Sequence, residues 1–456
     1  MSADTPGLAG NPRASADLFG HPRGLSYLFA TEMWERFSYY GMRALLVLYM
    51  VKELLDPRSD GTVAGLGPLR TAFEFMFGPL GPQAFASHIY GLYTGLVYLT
   101  PVFGGLLADR LLGQRRTVVL GAALMAAGHF MMAFQQLFLL ALLLLILGNG
   151  AFKPNISTQV GALYEAGDRR RDRAYSIFYV GINLGAFLAP LVCGTLGESY
   201  GWHYGFAAAG VGMTLGLIVY LMARPSLPRD ALVKRLPAAQ PMDRGQWHAI
   251  LALLALLLPV SLFWATYEQQ GNTIALWADQ LTDRRLVPGL IGLEIPVTWF
   301  QAFNPFMIFA LTPLVVALWR RQGTREPSTV AKLAIGCFLN AASWLIMAFA
   351  AWRTGTAPAS WLWLFAFFAV ITLGEIYLSP TSLSLVTKVA PAHLISLMMG
   401  IWLTSNFFGG LLAGYLGAFW SAMAKPDFFL MLAILSAMAG VVIALLHAPL
   451  RRHLRD

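Results

Sequence analysis

Apolar stretches of about 20 residues, the length a helix needs to cross about 30 Å of hydrocarbon, recur along nearly the whole 456-residue chain. Twelve are expected, at 27–54, 86–111, 117–136, 138–163, 174–198, 203–223, 248–278, 297–319, 328–352, 360–387, 394–421 and 428–448. In lipid each backbone polar group must be satisfied within its own segment, which restricts spans of this length to α-helices. The composition agrees, with 57% hydrophobic and 12% charged residues, whereas soluble domains carry roughly 25% charged residues. A soluble enzyme and a disordered chain are both excluded. The first twenty residues are polar, without a basic segment leading into an apolar core, so the first span is expected to direct insertion in place of a cleavable signal peptide.

The formal charge of +9 reads as a nucleic-acid signal only until the charges are placed. The clusters Arg115-Arg116, Arg169-Arg170-Arg171, Arg320-Arg321 and Arg451-Arg452 all fall on loops that follow even-numbered spans, or on the C-terminal tail. The positive-inside rule then puts both termini in the cytoplasm of a multi-pass protein of the plasma membrane, the inner membrane of a bacterial cell. The bilayer is the expected partner and nucleic acid is not. Residues 224–246 are polar and carry Pro225, Pro228, Pro237 and Pro241. They divide the chain into a tail (1–26), a six-helix bundle (27–223), a linker (224–246), a second six-helix bundle (247–449) and a short tail (450–456). Two bundles that rock about a midplane site form a recurrent carrier plan.

Ionisable residues inside spans cost at least about 2.5–3.5 kcal/mol each at a helix centre, and normally face a bundle interior or a watery cavity. Here they are Glu32, Glu35, Arg36, Arg43, Lys153, Glu268 and Glu375. The acids exceed the bases by one carboxylate, which suits a carrier that takes up a proton. In the first span, positions 32, 36, 39 or 40, and 43 share one helix face, so Glu32 and Arg36 can pair at i,i+4.

The segment between spans 2 and 3, with Gly104, Gly105, Asp109, Arg110, Gly113, Arg115 and Arg116, resembles the loop signature of the major facilitator superfamily. There, small residues let two helices approach closely and Asp and Arg can pair at the rim. The first-span motif Glu32-x-x-Glu35-Arg36-Phe37-x-Tyr39-Tyr40-Gly41 resembles that of the proton-dependent oligopeptide transporters. Further matches stand in order: Phe152-Lys153-Pro154-Asn155-Ile156, Gly181-Ile182-Asn183-Leu184-Gly185-Ala186-Phe187, Phe263-Trp264 with Tyr267-Glu268-Gln269, and Gly374-Glu375.

The resemblance implies an all-α major facilitator fold and a proton-coupled symporter that imports di- and tripeptides by alternating access. It implies that Arg36 and Lys153 hold the peptide carboxylate and Glu375 its amino terminus. Charge-assisted bonds to both ends of a zwitterion orient it whatever its side chains. Tyr39, Tyr40, Tyr93, Trp264 and Trp402 would wall the side-chain space, with Asn183, Asn304 and Ser379 as partners for the amides. Glu32 and Glu35 would couple the proton through Arg36, and Arg43 with Glu268 would close the outer gate, Glu268 titrating to release it.

Some features depart from this pattern. Residues 224–246 are too short and too polar for the two extra helices of many bacterial relatives, and Tyr267 stands where some relatives have a second acid. The 55–85 loop reads as holding a short interfacial helix, and His88 as either an interfacial polar residue or a proton-entry point. Kinks are expected near Pro154, Pro190, Pro305, Pro313 and Pro380. Cys193 and Cys337 lie apart in apolar runs, and His129 and His447 lack ligand spacing, so neither a metal nor any other cofactor is expected. No Walker-type loop points to ATP, and neither a filter-like repeat nor a nucleophile beside a base points to a channel or an enzyme. The alternative cargo is nitrate or another small anion; the acids Glu32, Glu35 and Glu375 argue against it. A monomer is expected.

Overall fold

The computed structural model describes residues 18, 20–56, 63–165, 168–228, 230, 244–286, 294–391 and 394–454. Nearly all of the 1–26 tail before residue 20, most of the 224–246 linker and the middle of the 55–85 loop lie outside the described residues.

The chain is almost wholly helical: α1 (Arg23–Tyr49), α2 (Leu66–Phe77), α3 (Pro82–Leu107), α4 (Gln114–Met131), α5 (Phe138–Ala162), α6 (Arg170–Ala189), α7 (Thr195–Tyr200), α8 (Trp202–Ala223), α9 (Arg244–Tyr267), α10 (Thr273–Gln280), α11 (Phe303–Gln322), α12 (Thr329–Thr354), α13 (Leu362–Val389), α14 (Ile395–Gly417) and α15 (Lys425–Leu454). Among the described residues ten helical stretches are long and apolar enough to cross a membrane. The helices α1 and α4 are not among them. Five charged residues lie within the first, and the second opens on Gln114, Arg115 and Arg116.

The expected all-α class is modified in one place. Two-residue strands, β1 (Thr282–Asp283) and β2 (Ala359–Ser360), pair in parallel and tie the loop after α10 to the turn before α13. The 55–85 loop does contain a short helix, α2, whose Phe75 and Met76 are exposed.

The proline expectation fared unevenly. Pro154, Pro313 and Pro380 sit inside the unbroken helices α5, α11 and α13, where packed neighbours make a missing hydrogen bond tolerable. Pro305 falls in the first turn of α11, where its absent N–H is no loss. Pro190 opens a π-helical segment, Pro190–Gly194. One further break carries no proline at all. After Tyr267 a 3-10 turn, Glu268–Gly271, leads to Asn272 at φ −112 and ψ −93, and α10 restarts from there.

Within the N-terminal half α1 packs on α6 and α8, and α5 on α3 and α4. Within the C-terminal half α9 packs on α14 and α15, and α12 on α13 and α15. The halves meet chiefly through α3 against α14 and α6 against α11. Gly104 of the loop signature meets the backbone of Gly150 in α5, while Asp109 and Arg110 make no ion pair among the described residues.

At the α3–α14 seam the backbones nearly touch. A Cβ on Gly91 would lie 2.5 Å from the Cα of Gly414, and one on Gly410 would lie 2.6 Å from the nitrogen of Gly95. Small residues are what permit such an approach without a hydrophobic drive between helices. At the same end Gln83 Nε2 donates to the Gly417 carbonyl (3.0 Å) and Ser87 Oγ donates to Asn272 Oδ1 (3.0 Å).

Candidate functional site

A cavity of about 340 Å³ lies between the two halves. Its wall takes Glu32, Arg36, Tyr40 and Arg43 from α1, Lys153 from α5 and Asn183 from α6. From the other half it takes Trp264, Glu268, Asn304, Glu375, Ser379 and Trp402. The spacing of 32, 36, 40 and 43 is that of one helix face, which is why a single helix supplies an acid, two bases and a phenol to the same space. The cavity extends to Ser157 of α5 and to Ser382 and Leu383 of α13, away from the α3–α14 seam.

Three of the residues singled out from the sequence are not on this wall. Tyr39 and Tyr93 are buried, their rings stacked at 6.5 Å behind α1. Adjacent residues on a helix differ by about 100°, so only one of Tyr39 and Tyr40 can face the cavity squarely. Glu35 is fully buried, behind Arg36 and Asn149.

That guanidinium serves two carboxylates. Arg36 Nη2 donates to Glu35 Oε1 at 2.6 Å, Nε donates to the second Glu35 oxygen, and Nε lies 3.3 Å from Glu32 Oε1. Asn149 Nδ2 reaches Glu35 Oε1 at 3.4 Å. The other Glu32 oxygen, Oε2, is buried without a hydrogen-bond partner among the described residues. A buried ion cluster of this kind is stable only while it is paired, so any change at Arg36 is felt at both acids. Lys153 makes no ion pair among the described residues, and its ammonium lies 4.6 Å over the Tyr98 ring. It is a cation facing the cavity, set against an aromatic face.

Across the cavity Glu375 Oε2 accepts from Tyr267 Oη (2.6 Å) and from Asn304 Nδ2 (2.9 Å), and Asn304 also donates to Thr372 Oγ1 (3.0 Å). The bases of one half thus face an acid of the other. Such a space can hold a small molecule by opposite charges at its two ends.

At the seam end Arg43 donates to Glu268 and, through Nε, to Tyr90 Oη at 3.0 Å; Tyr90 Oη lies 3.3 Å from Glu268 Oε2. The break after Tyr267 aims Glu268 across the interface. Lys52 and Asp279 form a second cross-half ion pair at 2.5 Å.

A third tie was not visible in the sequence. Glu198 of α7 accepts from the Val297 and Thr298 amides (2.9 and 2.8 Å) and from Thr298 Oγ1 (2.7 Å), capping the 3-10 turn Val297–Ala302 that leads into α11. Such a carboxylate complements the unpaired N–H groups of a helical start. Nothing in the spacing of Glu198 marks it. Tyr98, Tyr179 and Tyr267 also line the cavity. Of these only Tyr267 carried a sequence signal, its place beside Glu268. His88 lies buried under α2, its ring 4.5 Å from that of Phe77 and 5.2 Å from that of Phe73.

Two helical halves closed over a charged cavity at one end define a membrane carrier in architecture. The chain matches the POT family over residues 115–229 and 229–431. A di-/tripeptide transporter of Lactococcus lactis subsp. cremoris is 35% identical over 505 aligned residues, spanning 96% of this chain and 97% of that one. The peptide transporter YePEPT of Yersinia enterocolitica subsp. palearctica is 33% identical over 528, spanning 99% and 97%. A crystal structure of peptide transporter POT in complex with sulfate superposes with TM-score 0.84 at 30% identity over 96% of this chain and 97% of that one. A POT family transporter in complex with 5-aminolevulinic acid gives 0.81 at 27% identity over 95% and 97%. The chain belongs to the POT family.

Proposed function

We propose that the protein is a proton-coupled symporter that imports di- and tripeptides by alternating access. The observation that carries this reading is the single cavity in which Arg36 and Lys153 of one half face Glu375 of the other. A short peptide is a zwitterion, and charge-assisted bonds to its two ends hold it without reading its side chains. Its carboxylate goes to Arg36 and Lys153 and its ammonium to Glu375. Asn183, Asn304 and Ser379 meet the amides, and Tyr40, Trp264 and Trp402 bound the side chains, with Tyr39 and Tyr93 backing the wall. The relatives' description as di-/tripeptide transporters supports the same cargo.

Coupling follows from shared counter-charge. When the peptide carboxylate engages Arg36, Glu32 and Glu35 lose part of the guanidinium they now share, and one of them retains a proton and carries it inward. The pair of Arg43 and Glu268 closes the outer mouth, and protonation of Glu268 releases it. In this reading twelve helices cross the bacterial inner membrane, six in 27–223 and six in 247–449. The linker 224–246 and the tails 1–26 and 450–456 are cytoplasmic, and the protein works as a monomer. The seam of α3 and α14 then lies at the outer face and the cavity opens inward.

The test is uptake into liposomes under an inward proton gradient, with labelled dialanine and with nitrate. The expected result is gradient-driven dialanine uptake, no nitrate uptake, and loss of the gradient dependence in Glu32→Gln. Peptide uptake indifferent to both gradient and mutation would refute the proposal.

A further inference from the structure

Tyr267 is a cavity residue to which the transport scheme above gives no task. It ends α9, immediately before the break, and its phenol donates to Glu375 Oε2 at 2.6 Å. Asn304 Nδ2 reaches the same oxygen at 2.9 Å and lies 3.2 Å from Tyr267 Oη. Both bonds therefore fall on Oε2, and Oε1 accepts none among the described residues. The Tyr267 ring is itself fixed, stacked on Phe263 at 5.7 Å and edge-on to Trp264 at 5.3 Å. A phenol held in this way arrives at the carboxylate in its bonded geometry, so little rotamer freedom is lost in making the bond.

We infer that Tyr267 is a positioning residue for the amine end of the substrate: with Asn304 it pins one oxygen of Glu375 and leaves the other to accept from a primary ammonium. This rests on the assignment of Glu375 to the peptide amino terminus. A carboxylate oriented in advance does not spend binding free energy on ordering when the ammonium arrives. A hydrogen bond to an ionised group is also stronger than a neutral one, so its loss is measurable. A peptide whose amine is acylated presents no charge to Oε1 and gains nothing from this orientation.

The test uses the full-length protein in liposomes and in detergent, with Tyr267→Phe, Glu375→Gln and the double variant. Tyr267→Phe keeps the ring and its stacking and removes one oxygen. The expected result is a KM for dialanine raised about tenfold with kcat changed less than about twofold, as for a lost charge-assisted hydrogen bond. Binding of N-acetyl-dialanine, read by thermal shift, stays unchanged. In the Glu375→Gln background the further loss from Tyr267→Phe falls below about twofold, because the two side chains act through one contact. Equal losses for free and acylated peptide, an undiminished loss in the Glu375→Gln background, or an unaltered Tyr267→Phe each overturns the inference. Wild-type protein that neither binds nor imports dialanine overturns the transport reading and this inference together, whereas an indifferent Tyr267→Phe in an active transporter overturns this inference alone.

Discussion

Gly91→Ala should force the closed seam open. The added Cβ would lie 2.5 Å from Gly414 Cα and 2.7 Å from the Gly410 carbonyl, against the 3.4 Å at which ordinary contact begins. The shortfalls of about 0.9 and 0.7 Å are both against backbone, so no side chain can rotate away and α3 and α14 must separate. Overpacking of a close-packed contact costs about 1–3 kcal/mol. Charged to the closed state alone, that shifts the open-to-closed ratio about 5- to 150-fold, at about 1.4 kcal/mol per factor of ten. Ser87 is fully buried at this seam, as Cys193 and Cys337 are in their helices. A Ser87→Cys background therefore reports opening by its rate of reaction with a maleimide. Gly105→Ala, on the same helix with nothing within 4 Å of its added Cβ, gains the same helix propensity and serves as the control. Labelling that rises at least about fivefold in Gly91→Ala and not in Gly105→Ala supports the reasoning. Equal rates in a folded Gly91→Ala protein would refute it.

Other outcomes follow from the same geometry. Lys153→Ala should weaken dialanine at least about tenfold and its C-terminal amide far less, since only the free carboxylate meets the ammonium; competition uptake with the two peptides checks this. Glu198→Gln keeps an acceptor but removes the charge that three donors share, so Ser87→Cys labelling should rise about threefold to thirtyfold. Hydrogen bonds from Arg285 hold Asp283, outside the spans, down to about 2 against 3.8 for a free side chain. What stability this pair gives is complete above the free value and disappears as pH falls from there towards 2, so Asp283→Asn should leave the uptake profile between about pH 5 and 8 unmoved. A displaced profile would place a coupling group in that loop.

Much of the helical plan is legible because lipid restricts the choices: apolar length and the absence of alternatives to the helix mark each element, and the charges that break the pattern mark the cavity. The face formed by Glu32, Arg36, Tyr40 and Arg43 follows from helical spacing alone. What periodicity could not settle was finer than one residue, as with Tyr39 turned behind its own helix and Tyr40 turned into the cavity. The break at Glu268–Gly271 also escaped, because proline is the usual signal and this break instead sets Gly271 against Tyr90 and Arg43 and Asn272 against Ser87. Glu198 itself, and the contact that Tyr267 makes, were hidden for a different reason. Their partners, Thr298 and Glu375, lie about a hundred residues away, and only folding brings them together.

The most direct measurement is a structure of the protein with dialanine bound. The expected result is the peptide ammonium within hydrogen-bond distance of Glu375 and its carboxylate against Arg36 and Lys153. A peptide bound in the reverse sense, or outside this cavity, would contradict it.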